Sequence, residues 1–320
     1  MKMLNDLMFY YDNFGIDVAY KLCFFPRLMS KIGIKNYNTT FNDSLVKYLL
    51  KEYGPVVKKY KILETSYSQQ NPSQHQKSSK IIWTCWWQGK EQMPKVIRMC
   101  HQSLLNNSNG HKVILITKDN FRNYVEIPQY IIDIANKGLL SLTHMGDVVR
   151  TALLAKHGGI WVDAGLFITR PIIEHTGFFS PKILSMNSGF ISEHKWCVGM
   201  LETTKDSLLF SFVRDCFYLY LSKNNCFIDY FQFDFTIKIA YSIFDNVKSS
   251  IDAVPFNNPD LHSSRYTFNE KINENRFKYL IDSNQFMSLT WRINYEERLL
   301  SGEQTYYGRL IEYFDIKSNV

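Results

Sequence analysis

The chemistry of this chain concentrates in HMGDVVRTALLAKHGGIWVDAG, residues 144–165. Asp147 and Arg150 stand three positions apart in a stretch of helical periodicity, so an acid and a guanidinium share one helix face. Gly158-Gly159 ends the helix, since glycine takes the left-handed backbone that helix ends use. The apolar run Ile160-Trp161-Val162 then reads as a strand that delivers Asp163 at its C-terminal end. In open α/β sheets, ligands gather outside the carboxyl ends of the strands. Residues of these types suit a ligand rich in hydroxyls and phosphate. Asp147 can accept from sugar hydroxyls, and Arg150 can fork onto phosphate or sugar oxygens. Asp163, followed by the small Ala164-Gly165, leaves room for a divalent cation that neutralises a diphosphate. Any one of these residues alone fits a structural helix–strand unit with a surface Asp147–Arg150 pair; the whole string points to a site.

The hydrophobic pattern shows what must hold that string in place. Lys80–Trp87, KIIWTCWW, reads as a buried strand, Pro94–Leu105 as a helix, Lys112–Thr117 as a second strand and Tyr130–Lys137 as a second helix. His144–His157 is a third helix, and helices are predicted over 205–222 and 229–244. Strands alternating with helices predict an α/β fold with a largely parallel sheet and short crossovers. Ahead of it, residues 1–62 read as a helical lead-in, with Leu45, Tyr48, Leu49 and Tyr53 at helical spacing. The polar stretch 65–79, TSYSQQNPSQHQKSS, reads as a linker. The expected division is a lead-in with linker over 1–79 and one catalytic-sized domain over 80–320.

Composition narrows the class. Of 320 residues, 45% are hydrophobic and 15% aromatic, which excludes a disordered chain. The six cysteines include no CxxC pair, which excludes a zinc ribbon or dithiol redox motif and suits a reducing compartment. No signal peptide is expected, and the best apolar stretches, 16–29 and 207–221, are broken by charges, so no membrane-spanning helix is expected. Met3–Met29, aromatic with flanking cations, reads either as a segment lying on a membrane surface or as a helix packed on the core. The net charge of +7 favours an anionic partner. The basic residues are dispersed, so nucleic acid is not the expected one.

Three segments, KIIWTCWWQGKEQMPKVIRMCHQSL, KVILITKDNFRNYVEIPQYI and GDVVRTALLAKHGGIWVDAGLFITRPI, resemble the bacterial capsular polysaccharide synthesis proteins. The wider group is the retaining sugar transferases of the GT-A fold, which includes yeast mannosyltransferases and clostridial glucosylating toxins. The resemblance continues through IDYFQFDFTIKIAY, VPFNNPDLH and LTWR, and covers roughly residues 80–295. It implies a GT-A-like, Rossmann-type, mostly parallel sheet flanked by helices, with an N-terminal helical extension. It also implies transfer of a sugar, with retention, from a nucleotide-diphosphate donor such as a UDP-sugar. The acceptor would be a hydroxyl of a growing, lipid-linked capsular or surface glycan. A sugar-phosphate transferase and a non-catalytic assembly subunit are the competing readings. The implied place is the cytoplasm, at the inner face of the plasma membrane.

Residue by residue, the group's helix motif is Ser-Asp, two residues, then Arg. Gly146 stands at the serine, while Asp147 and Arg150 match and are implied to contact the donor sugar. The strand-end motif is Asp-x-Asp; here Asp163-Ala164-Gly165 lacks the second acid, although the capsule family itself usually carries Asp-Ala-Thr. The implied cofactor is a divalent cation, Mn²⁺ or Mg²⁺, at Asp163. Trp87 matches a tryptophan that stacks on the nucleobase in relatives, whereas Trp83 and Trp86 read as core. Asp234, and less so Asp229, can line the acceptor side; the other readings are a solvated helix face and an N-cap. His262, in a loop with Asn257 and Asn258, can offer a neutral imidazole to metal or pyrophosphate, or is simply solvated. Trp291, with Arg292, can close over the pyrophosphate as a C-terminal segment does in the toxins, or pack in the core. His144 and His157 read as structural, and Lys90 and Lys95 as a solvated face.

Overall fold

The computed structural model describes residues 8, 10–12, 14–20, 37–69, 79–183 and 190–318. In chain order the elements are α1 (Tyr37–Glu52), α2 (Gly54–Gln69), β1 (Ile81–Cys85), α3 (Lys95–Asn106), β2 (Lys112–Ile116), α4 (Gln129–Asn136), α5 (Leu142–His157), β3 (Gly159–Val162), β4 (Leu166–Ile168), β5 (Met200–Thr203), α6 (Leu208–Leu221), α7 (Gln232–Ile243), α8 (Asp245–Asp252), α9 (Glu274–Ser283), β6 (Phe286–Ser288) and α10 (Tyr306–Ser318).

The central sheet has the order β2-β1-β3-β5. β1 runs parallel to both β2 and β3, and β5 closes the edge antiparallel to β3. The fold is therefore mixed α/β with a mostly parallel sheet flanked by helices. Side chains alternate across the sheet as strand geometry requires. Trp83, Ile114, Trp161 and Leu201 face a core shared with α4, α5, α6 and α7. Ile82, Ile160, Val162 and Met200 face the opposite side, with Leu104 of α3. A separate pair, β4 with β6 antiparallel, sets Leu166 against Ser288 and packs beside α3, α9 and α10.

The lead-in joins the first core. Leu45, Leu49, Tyr53, Val56 and Tyr60 are buried in it. The Tyr53 hydroxyl meets Thr236 Oγ1 at 3.1 Å and accepts from Gln232 Nε2 at 3.1 Å, and Tyr60 sits edge-on to Phe212 at 5.6 Å. Of the Met3–Met29 segment, Tyr10, Phe14 and Val18 pack against this core; residues 1–7, 9, 13 and 21–36 lie outside the described residues. The polar stretch read as a linker from residue 65 begins later: α2 continues to Gln69, because a helix already nucleated propagates through polar residues at little cost. Residues 70–78 lie outside the described residues. Among the described residues, no helix is long and apolar enough to cross a membrane.

Candidate active site

α5 opens on Ser141, whose hydroxyl accepts from the His144 amide at 3.1 Å. It closes on Gly158 at φ 64°, followed by Gly159 at φ 93°. Here the glycines serve more than the turn: a Cβ on Gly158 would lie 2.4 Å from the Lys205 nitrogen, and one on Gly159 2.6 Å from the Ile81 oxygen. The double glycine thus lets β3 enter the sheet between β1 and β5, and β3 presents Asp163 at its carboxyl end.

Arg150 is the centre of the site. Nη2 donates to Asp147 Oδ1, and Nη1 donates to the Val198 carbonyl and, at 3.4 Å, to Asp163 Oδ1. Its guanidinium also lies over the rings of Phe233 at 4.5 Å and Trp161 at 5.3 Å. The side chains of Arg150 and Asp147 are buried, while that of Asp163 is 48% exposed. The fork that the sequence offered to phosphate is therefore occupied by protein, and Asp163 is the most exposed member of the trio. Asp163 Oδ1 also accepts from Trp161 Nε1 at 2.7 Å, and its amide donates to the Gly199 carbonyl at 2.8 Å. Oδ2 accepts no hydrogen bond from the described residues.

Asp234 joins this group from α7. Its Oδ1 accepts from Trp196 Nε1 at 2.9 Å, and its neighbour Phe233 is the ring under Arg150. Burial pushes Asp147 up to about 6, against the pull of Arg150. Burial likewise pushes Asp234 up to about 6, against its bond from Trp196 and the charge of Arg150. Three carboxyls around one guanidinium make the locale net acidic. Burial works against the thiolate form of the two nearby thiols. Burial and the charge of Asp163 push Cys85 up to about 12 and Cys197 up to about 11.

Gly165 explains the missing second acid. A Cβ there would lie 2.7 Å from the Leu289 carbonyl oxygen, where the Leu289 amide already donates to the Gly165 carbonyl at 2.8 Å. The run from β6 approaches so closely that a side chain here would force the backbone to shift. Gly146 is different, because a Cβ there would sit 3.9 Å from Trp87 Nε1, an ordinary contact.

The remaining candidates fall around this centre. Trp87 donates from Nε1 to the Leu142 carbonyl at 2.8 Å and meets Phe121 edge-on at 5.8 Å, so it lies against the first turn of α5. Trp291 follows two residues after Leu289 and is 55% exposed, so it is not core; Arg292 lies over its ring at 5.7 Å. His262 is part-buried with an unpartnered Nδ1, and burial with the charge of Arg265 lowers its pKa to about 4. Among the described residues, no group of three or more His, Cys, Asp or Glu side chains is arranged to hold a metal ion by itself. Asp229 accepts from the Phe231 amide at 2.8 Å as a cap ahead of α7. His144 packs on Phe227 at 5.1 Å and His157 meets the Tyr124 carbonyl at 2.9 Å. Trp83 is buried in the core and donates to the Gly158 carbonyl at 2.9 Å, while Trp86, part-buried, donates to the Gln92 carbonyl at 3.3 Å. Lys95 pairs with Glu297 at 2.6 Å.

The sequence reading missed the segment Trp196–Gly199. It supplies Trp196 to Asp234, the Val198 carbonyl to Arg150 and the Gly199 carbonyl to Asp163. It also missed Trp161 as the donor that fixes Asp163, although a tryptophan two residues before a strand-end acid shares its face and was open to that reading.

A family model described as "Capsular polysaccharide synthesis protein" matches residues 31–310. Among solved structures, one described as "PaToxG Glycosyltransferase" is similar at 12% identity and a TM-score of 0.35, covering 74% of this chain and 96% of that chain. No curated protein sequence matches.

Proposed function

The chain belongs to the capsular polysaccharide synthesis protein family, and on that premise we propose that it is a glycosyltransferase of the GT-A kind. It moves a sugar from a nucleotide-diphosphate donor, a UDP-sugar first among them, to a hydroxyl of a growing lipid-linked surface glycan, with retention. The observation that carries this reading is the acid group tied to one arginine at the carboxyl end of β3, with Asp163 alone turned to solvent.

In this reading Arg150 is the positioning residue. It holds Asp147 and Asp163 in one arrangement and keeps buried negative charge compensated. Asp163 faces the diphosphate, Trp87 the base and Asp234 the acceptor side, while Asp147, buried on Arg150, holds the donor-sugar side from behind. The acidic locale favours the positive character that the transferred sugar develops. The C1–oxygen bond to the diphosphate breaks, and its electrons leave with the phosphate. The acceptor oxygen bonds C1 from the same face, and its proton passes to the departing phosphate oxygen. No carboxylate is placed as a nucleophile.

The residues present fit a divalent ion that arrives with the donor. One exposed carboxylate, with Oδ2 unengaged and Oδ1 held by Trp161 and Arg150, suits an Mg²⁺-type ion bound mainly by substrate phosphates. Such an ion would neutralise charge on the leaving diphosphate, with Asp163 holding it and His262 as a neutral second donor. The +7 charge suits an acidic membrane face that carries the acceptor, on the cytoplasmic side.

The test is a thermal-shift screen of UDP-, GDP- and CMP-sugars with and without Mn²⁺, followed by turnover. A nucleotide-diphosphate sugar is expected to raise the melting temperature, and Asp163→Asn is expected to keep the fold and lose turnover. No stabilisation by any donor, or turnover in Asp163→Asn at the unmodified rate, refutes the reading.

A further inference from the structure

A short helical turn, Ser264–Thr267, brings Arg265 onto the strand pair behind Asp163. Three hydrogen bonds fasten this segment to Ser288. The Ser288 amide donates to the Leu261 carbonyl at 2.8 Å, Ser264 Oγ donates to the Ser288 carbonyl at 2.8 Å, and Arg265 Nε donates to Ser288 Oγ at 2.7 Å. Ser288 is registered against Leu166, the third residue after Asp163. The anchor uses only Nε and a neutral hydroxyl. Among the described residues no carboxylate pairs with the Arg265 guanidinium, and the nearby Asp260 is taken by Arg276 at 2.8 Å.

Arg265 stands within electrostatic reach of the site. Its field reaches Cys197, as do the fields of Asp163 and Asp234. A Cβ at Gly199 would lie 3.5 Å from Cys197 Sγ and 3.4 Å from Asp163 Oδ2, so that thiol stands close to the exposed acid. A guanidinium fixed at Nε, whose Nη groups make no hydrogen bond to the described residues, has the geometry to grip two phosphate oxygens.

We propose that Arg265 binds the diphosphate of the donor through its Nη groups, with Ser288 as the positioning residue that fixes the fork. This rests on the nucleotide-sugar reading above. It supplies the cation that the occupied fork of Arg150 does not offer, and stabilises charge on the departing diphosphate.

The experiment is isothermal titration of the full chain with uridine, UDP and inorganic pyrophosphate, repeated with guanosine and GDP, on the unmodified protein, Arg265→Gln, Arg265→Lys and Ser288→Ala. Arg265→Gln is expected to weaken UDP or GDP and pyrophosphate by about tenfold to a hundredfold, the usual range for a charge-assisted hydrogen bond, with the nucleoside unmoved. Arg265→Lys should recover part of the loss through charge alone, and Ser288→Ala should show a smaller loss with the same dependence on phosphate. Unchanged diphosphate affinity in Arg265→Gln, or an equal loss for nucleoside and diphosphate, overturns the role of Arg265 and leaves the donor class standing. If the unmodified protein binds neither UDP nor GDP, the donor class falls, and the proposal with it.

Discussion

Restoring the second acid by Gly165→Asp should damage the protein rather than complete its site. The new Cβ would lie 2.7 Å from the Leu289 carbonyl oxygen, a backbone atom with no rotamer through which to retreat. The contact can open only by moving the β6 run away from β4, which stretches the 2.8 Å bond from the Leu289 amide to the Gly165 carbonyl. Buried neighbours on both strands, Phe167, Met287 and Leu289, resist that movement. Overpacking of this kind costs about 1–3 kcal/mol, and a weakened backbone hydrogen bond adds about 0.5–1.5 kcal/mol. The sum, about 1.5–4.5 kcal/mol, should lower Tm by about 2–7 °C for a chain of this size. Differential scanning calorimetry of Gly165→Ala and Gly165→Asp measures it, and Mn²⁺ titration of Gly165→Asp measures any gain in metal binding. Gly146→Ala is the control, because its Cβ would stand 3.9 Å from its nearest neighbour and removing glycine from a helix interior should stabilise by about 0.5–1 kcal/mol. A Gly165→Asp protein that melts with the unmodified one and binds Mn²⁺ more tightly would refute the argument, and would show the missing acid to be incidental.

Arg150→Ala should cost about 3–5 kcal/mol in urea denaturation, since it strands Asp147 without its partner in a buried site, whereas Asp163→Asn, half-exposed, should stay within about 1 kcal/mol of the unmodified protein. Asp234 has a folded pKa pushed up to about 6, so its favourable contribution is complete below about pH 4 and is lost as pH rises through 6. Asp234→Asn keeps an acceptor for Trp196, so its stability relative to the unmodified protein should climb between pH 4 and pH 6, by up to about 3 kcal/mol; a difference that does not change with pH contradicts the assignment. Asp215→Ala removes the acceptor shared by Lys59, Tyr60 and Arg214, and should raise amide exchange in α2 while sparing β1 and β3.

The sheet and the acid on β3 were legible because their signals are continuous in sequence. One stretch carries the helix that bears Asp147 and Arg150, the double glycine and the strand that ends at Asp163. Local periodicity and glycine chemistry suffice to place them. The lead-in hid its partner, since apolar spacing in α1 shows that a face is buried but not that Tyr53 meets Thr236, 183 residues on. The segment Trp196–Gly199 was illegible for the same reason. Its carbonyls reach Arg150 and Asp163 only because β5 pairs antiparallel with β3, and pairing of distant strands is decided by tertiary packing.

The two departures from the broader motif show the limit most sharply. At both Gly146 and Gly165 the sequence presents a glycine where the wider group carries a polar side chain, and nothing local separates the two cases. In the folded chain one position faces a tryptophan edge at an ordinary distance and the other faces a backbone carbonyl at 2.7 Å. A missing side chain therefore has two causes, open space or closed space, and only the second alters the chemistry. Because closure at Gly165 comes from the β6 run, and Ser288 of β6 also anchors Arg265, the strand that excludes the second carboxylate is the strand that brings in a cation. Charge on the leaving diphosphate would then be met from the side where a second acid would have held its metal.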